Sequence, residues 1–245
     1  MTDDDGYFGE EIASTYDADT SGMHDQTVID TVVDVLAGLA GDGKALEFGI
    51  GTGRIALPLA RRGIEVHGID LSKAMVARLR DKPGGDAIGV TIGDFAHTRV
   101  PGEFSLAYLV FNTINNLTTQ DEQVACFVNA ATHLEPGGSF AIEVGVPALR
   151  LLPPGQRAVP FDVGEKHWAY DLYDCATQSM SSNYVDDDGE GARLWSIPFR
   201  YVWPAELDLM ARIAGLVLVE RWQDWDGTPF THESSRHVSV WQKPA

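Results

Sequence analysis

Three glycines at alternate positions, Gly49, Gly51 and Gly53, separate a short apolar run from a helix-like stretch. Glycine at such a reversal permits the sharp turn and lets a ligand approach the backbone closely, with helix N–H groups pointing at it. Many nucleotide-binding folds use that device, so the neighbouring acids carry the discrimination. Glu47 lies inside the run just before the loop, where a carboxylate is awkward beside a pyrophosphate but suits a ligand bearing an ammonium and a sulfonium. Asp70 ends the next apolar run, the right distance downstream to accept hydrogen bonds from both ribose hydroxyls. Arg54 occupies the position where a dinucleotide fingerprint wants glycine or alanine.

A sheet must position these groups. Apolar runs at 44–48, 64–69, 87–92, 104–111 and 139–146 predict strands, and helical spacing fills the gaps between most of them. A first helix starts at Asp25 with Val28, Val32, Val35, Leu36 and Leu39 on its apolar face, and Gly41 and Gly43 end it. A second covers 54–62, with Pro58 near its start and Gly63 closing it; a third runs from the N-cap Ser72 to about Arg80; a fourth covers 120–134. Strand–helix repetition implies parallel strands with helices on both faces, and ligands beyond the carboxyl ends where strand order reverses.

The rhythm breaks at Pro147. Alternating stretches at 167–176, 178–185 and 193–203 read as antiparallel strands, with a turn at Asp187-Asp188-Gly189. A helix over 204–214 and strands at 216–223 and 237–242 resume the first pattern. The expected organisation is a loosely held arm at 1–23, a core from 24–146 and 204–245, and a β-rich substrate cap at 147–203 inserted into it.

Glu47-Phe48-Gly49-Ile50-Gly51-Thr52-Gly53-Arg54, Gly68-Ile69-Asp70-Leu71-Ser72 and Gly93-Asp94-Phe95 together resemble the class I S-adenosylmethionine methyltransferases. The likeness is strongest to their small-molecule branch, which includes amino-sugar N-methyltransferases. Leu134-Glu135-Pro136-Gly137-Gly138 resembles the turn before that family's fifth strand. The resemblance implies a Rossmann-like, seven-stranded, mostly parallel α/β sheet with an antiparallel last strand. It implies S-adenosylmethionine as cofactor and S-adenosylhomocysteine as product. By the same resemblance, Glu47 lies near the methionine end, the loop of Gly49, Gly51 and Gly53 runs against the cofactor, and Asp70 holds the ribose. Leu71, Met75, Asp94 and Phe95 then surround the adenine, Phe111 and Asn112 lie under the methionine, and Tyr16 closes over the cofactor.

Displacement at a sulfonium carbon needs positioning more than a special catalytic group, so no unique catalytic motif is expected. Trp168, Tyr170, Tyr173, Trp195 and Tyr201 in the cap are the expected acceptor pocket, and His167 and Glu143 the candidate bases. The net charge of −18, from 36 acidic and 18 basic residues, disfavours nucleic acid and anionic membrane surfaces and leaves small neutral or cationic molecules as partners. Cys126 and Cys175 form no disulfide framework, and the acidic start does not resemble a signal peptide, so a cytoplasmic protein is expected. His232 and His237 fall on a loop-to-strand passage, and the Asp186–Asp188 run lacks calcium-loop placement, so no metal is expected. A homodimer stays open. The competing readings are a nicotinamide-dependent oxidoreductase, a non-catalytic cofactor-binding module and a nucleic-acid methylase. The first lacks a Tyr-x-x-x-Lys relay, and the last an Asn-Pro-Pro-Tyr-type motif, where Phe111-Asn112-Thr113-Ile114 stands.

Overall fold

A computed structural model describes residues 5–19, 25–187, 189 and 191–245. Its elements run α1 (Glu10–Asp19), α2 (Gln26–Ala40), β1 (Lys44–Phe48), α3 (Ala56–Arg61), β2 (Glu65–Asp70), α4 (Lys73–Arg80), β3 (Gly89–Ile92), β4 (Phe104–Leu109), α5 (Gln120–His133) and β5 (Leu134–Gly145). There follow β6 (Ala158–Val163), β7 (His167–Asp174), β8 (Ser179–Asp187), β9 (Ala192–Arg200), α6 (Pro204–Ile213), β10 (Val217–Trp222) and β11 (Arg236–Gln242).

Seven strands form one sheet in the order β10-β11-β5-β4-β1-β2-β3, and β6-β7-β8-β9 form a second. β1 pairs in parallel with both β2 and β4, so the chain leaves β1 at the point where strand order reverses. β11 pairs antiparallel with β5 and β10. The expected fold class is therefore the observed one.

Alternation along the central strands divides the core into two layers. Leu46, Phe48, Ala107 and Leu109 face α5 and α6, whereas Ala45, Leu106 and Tyr108 face α2 and α3. The first layer is closed by Trp241, wholly buried and edge-on to Phe127 at 5.3 Å, its indole N–H donating to Asp208 at 3.1 Å. Glu47 has the parity of Ala45 and so turns toward the α2 and α3 layer, the side Tyr108 also faces.

Local signals agree with most element boundaries. The Ser72 hydroxyl accepts from Met75 N at 3.0 Å as the N-cap of α4. At α5 a full capping box operates: Thr119 accepts from Glu122 N, and Glu122 from Thr119 N. Pro58 falls in the first turn of α3, where the missing N–H would have no helical partner anyway. The backbone is one strand richer than expected, because β6 carries Pro160. The strand is tolerated since β6 is an edge paired only with β7, with an irregularity between Pro160 and Asp162.

The expectation of a loosely held N-terminal arm is corrected for its described residues. α1 packs Ala13 against Ala74 and Met75. Thr52 Oγ1 donates to Asp17 at 2.6 Å, Ser72 Oγ to the Phe8 carbonyl at 2.6 Å, and Lys82 pairs with Asp17 at 2.6 Å. Residues 1–4 and 20–24 of the sequence, and Asp188 of the expected turn, lie outside the described residues. No helix among the described residues is long and apolar enough to cross a membrane.

Candidate active site

The loop after β1 is shaped by backbone that side chains tolerate poorly. Gly49 and Gly51 have φ of 71° and 54°, in the left-handed region. A Cβ on Gly49 would sit 2.6 Å from Thr113 Cγ2, and one on Gly53 would sit 2.3 Å from Leu79 Cδ1. Gly49 and Gly53 are therefore needed for packing, against Thr113 and against α4, while a Cβ on Gly51 would meet nothing closer than Met75 Cε at 3.4 Å.

Asp70 ends β2 beside this loop. Its Oδ2 accepts from Gly51 N at 2.6 Å and its Oδ1 from Ser72 N at 2.8 Å. A carboxylate has about four lone-pair sites, so both oxygens keep capacity for a diol. Burial raises its pKa despite those two bonds. Asp94, after β3, accepts from Ala96 N at 2.8 Å and fixes the next turn. Leu71 is exposed and Met75 buried against α1.

Glu47 is 2% exposed, and its one hydrogen bond from a side chain comes from Tyr108 OH at 2.9 Å. Burial pushes its pKa up to about 8, against the lowering effect of the Tyr108 bond and of the Arg54 charge. A buried acid of this kind keeps its proton unless a cation shares the site.

The end of β4 carries backbone strain. Phe111 and Asn112 are consecutive non-glycine residues with φ of 55° and 59°. Such pairs persist only when surrounding contacts over-determine them. Here Asn112 N donates to the Glu143 carbonyl at 3.1 Å, Phe111 N to Glu143 Oε2 at 3.1 Å, and Gly145 N to Asn112 Oδ1 at 2.6 Å. The turn presents Phe111, 41% exposed, with the Arg54 guanidinium 5.8 Å from its ring centroid. Tyr16 completes the junction: its hydroxyl, pushed up by burial, feels Arg54 and Asp70 on one side and Tyr184 of β8 on the other.

Beyond that junction a cavity of about 1050 Å³ lies between α1, the turn after β4 and the second sheet. Tyr16, Phe111 and Asn112 line it on one side, and Tyr173, Trp195 and Tyr201 on the other. Tyr173 and Tyr201 are buried with ring centroids 5.5 Å apart, and burial pushes both hydroxyls up to about 12.

Several expected site residues are placed elsewhere. Trp168 and Tyr170 alternate with the cavity-lining Asp171 and Tyr173 along β7 and take the opposite face of the sheet. His167 has the cavity parity but stands outside its lining, clamped by Asp186 and, at 3.6 Å, by Asp162. Phe95 turns into the core and stacks on Phe48 at 5.9 Å, because its ring follows a turn that folds under α5. Glu143 is beneath the Phe111–Asn112 turn, outside the cavity lining, where its carboxylate serves the backbone. Conversely, sequence reasoning missed Asn115, Phe161, Asp171 and Tyr184, all of which line the cavity. Alternation along β7 and β8 was the available signal, but choosing the inward face needs the packing.

Comparison with known proteins agrees with this arrangement. Residues 45–138 match a family model described as a methyltransferase domain. The CcbJ methyltransferase from Streptomyces caelestis is 34% identical, with a TM-score of 0.87 over 98% of this chain and 99% of that one. A cypemycin N-terminal methyltransferase from a Streptomyces species is 27% identical over 206 residues, 82% of this chain and 84% of that protein. An S-adenosylmethionine-dependent methyltransferase from Clostridium acetobutylicum, 15% identical, shares the fold at a TM-score of 0.76 over 96% of this chain and 98% of that one. The chain belongs to the S-adenosylmethionine-dependent methyltransferases. Its cofactor is S-adenosylmethionine, and the residues at the groove suit it: Asp70 keeps lone-pair capacity for a diol, and the buried acid Glu47 would be held ionised by a further positive charge.

Proposed function

We propose that the protein transfers a methyl group from S-adenosylmethionine to nitrogen or oxygen of a small soluble metabolite by in-line displacement. The aromatic-lined cavity of about 1050 Å³ that opens beside Tyr16 and Phe111 carries this reading, since small-molecule sites are concave, largely apolar and of this size. In this reading 147–203 is the substrate cap, and 24–146 with 204–245 the cofactor-binding core. The Streptomyces relative named as an N-terminal methyltransferase supports nitrogen as acceptor. The net charge of −18 supports a neutral or cationic acceptor over nucleic acid. Two unbridged cysteines, one buried and one exposed, support a cytoplasmic setting.

Bound in the groove, the cofactor supplies a methyl group already activated by its sulfonium. The residues of the chain then bind and orient. Gly49, Gly51 and Gly53 shape the floor, Asp70 takes the ribose hydroxyls, and Glu47 faces the positive end, with Arg54 beside it for a carboxylate. Leu71 and Met75 flank the base, Asp94 accepts from its amino group, and Tyr16 covers the junction and excludes water. Phe111 and Asn112, braced by Glu143, form the wall between cofactor and acceptor. Correct positioning alone is worth about 7–11 kcal/mol of barrier. Incubation of the protein with methyl-labelled S-adenosylmethionine and panels of small amines and alcohols, read by mass spectrometry, tests the reading. Label transfer to a small acceptor is expected; transfer only to protein or nucleic acid would overturn it.

A further inference from the structure

The charged side chains that line the cavity are Glu11, Asp171, Asp186 and Arg193. Three of them are already paired: Arg193 with Glu11, and Asp186 with His167. Asp171, on β7, is not. Its Oδ1 accepts from Ser182 Oγ at 2.6 Å and its Oδ2 from Tyr173 OH at 3.4 Å, both neutral donors, and among the described residues it forms no ion pair. Beside it stand Tyr173 and Tyr184, the latter stacked on Trp195 with ring centroids 5.0 Å apart and planes 7° from parallel, while Trp195 in turn has the Arg193 guanidinium 5.4 Å from its ring centroid. A carboxylate framed by aromatic faces is the chemistry that takes an organic cation, by charge and by cation–π attraction.

A second, independent feature points into the same space. Asn115, in the 3-10 turn Thr113–Asn116, is 6% exposed, and its Oδ1 has no hydrogen-bond partner. Buried polar atoms are almost always paired, and this one lines the cavity opposite the second sheet. It is an acceptor waiting for an N–H or O–H of whatever enters.

We infer that Asp171 is a specificity-determining residue that anchors a positively charged group of the methyl acceptor, with Asn115 taking a second donor of the same molecule. The inference rests on the reading of this cavity as the acceptor site and narrows the acceptor to organic cations, among them protonated amines. Burial raises the Asp171 pKa, and a bound cation opposes that rise, so the ligand and the ionised acid stabilise each other. A neutral molecule of the same shape leaves the acid unpaired.

Choline and 3,3-dimethyl-1-butanol, matched in shape and differing by one charge, test this in the full-length protein saturated with S-adenosylhomocysteine. Binding is followed by ligand-detected NMR. Choline has a nitrogen without a lone pair, so the measurement does not depend on turnover at nitrogen. Wild type is expected to bind choline at least tenfold more tightly than the alcohol, and Asp171→Asn to lose roughly tenfold of choline affinity with the alcohol unchanged. Asp171→Glu is expected to restore part of the preference. Unchanged S-adenosylhomocysteine binding in each variant shows that the fold is intact. Equal binding of the two probes by wild type, or a choline preference that survives Asp171→Asn, overturns the inference. Methyl transfer to neutral acceptors alone would overturn it as well while leaving the proposed methyltransferase reaction standing.

Discussion

Replacing Glu47 by glutamine should change how stability and cofactor affinity depend on pH. Glu47 ionises near its ordinary value of 4.5 in the unfolded chain but at about 8 in the folded one, because burial disfavours the charge. The folded state therefore gains from the neutral acid below pH 4.5, and the gain is lost as pH rises toward about 8. At about 1.4 kcal/mol per pH unit, the interval corresponds to about 5 kcal/mol, of which about 3 kcal/mol falls between about pH 6 and pH 8. The amide introduced by Glu47→Gln can still accept from Tyr108 OH and carries no proton to lose. The variant should therefore show a flatter stability curve and greater stability at about pH 8. Cofactor binding has the opposite linkage. An ammonium and a sulfonium favour ionised Glu47, so binding should release a proton below about pH 8 and tighten as pH rises. Urea denaturation of the ligand-free protein across that range reads the first effect. Calorimetric titration of S-adenosylmethionine in buffers of different ionisation enthalpy reads the second. Parallel stability curves for wild type and Glu47→Gln, together with no proton release on binding, would refute the reasoning.

Asp70→Lys should abolish measurable S-adenosylmethionine binding, and Asp70→Asn should weaken it by about 1.5–3 kcal/mol per charged hydrogen bond lost, read by calorimetry with circular dichroism as the check on folding. Gly49→Ala should destabilise by about 1–3 kcal/mol, because its Cβ meets Thr113 Cγ2 at 2.6 Å on a left-handed backbone. Thr113→Ser removes that methyl while keeping the hydroxyl bond to the Val110 carbonyl, so the double variant should recover part of the loss in urea denaturation. Arg200 is 5% exposed and joins β9 to the core through Glu206 at 2.7 Å and Gln123 at 2.5 Å, so Arg200→Ala should cost about 3–5 kcal/mol, seen as a lower Tm.

The loop after β1 and the acids beside it were legible because their signals are local. A left-handed turn asks for Gly49 and Gly51, a cap asks for Ser72, and an acid in an apolar run, Glu47, needs a reason to be there. The second sheet was legible only in part. Pro160 hid β6, since an edge position that excuses a missing N–H is a property of neighbours and not of the strand itself. α1 was hidden in the same way: Ala13 and Tyr16 make a face only once α4 lies beneath them.

Periodicity and turn chemistry, which act between residues close along the chain, thus determined the parallel sheet, the glycine loop and the acids around it. Tertiary packing alone decided that Asp171 and Tyr184 rather than Trp168 and Tyr170 meet the cavity, that Phe95 belongs to the core, and that Glu143 braces a strained turn. Alternation assigns residues to two faces of a strand without saying which one is covered. That choice belongs to contacts between segments far apart in sequence, where burial and hydrogen bonding are settled together.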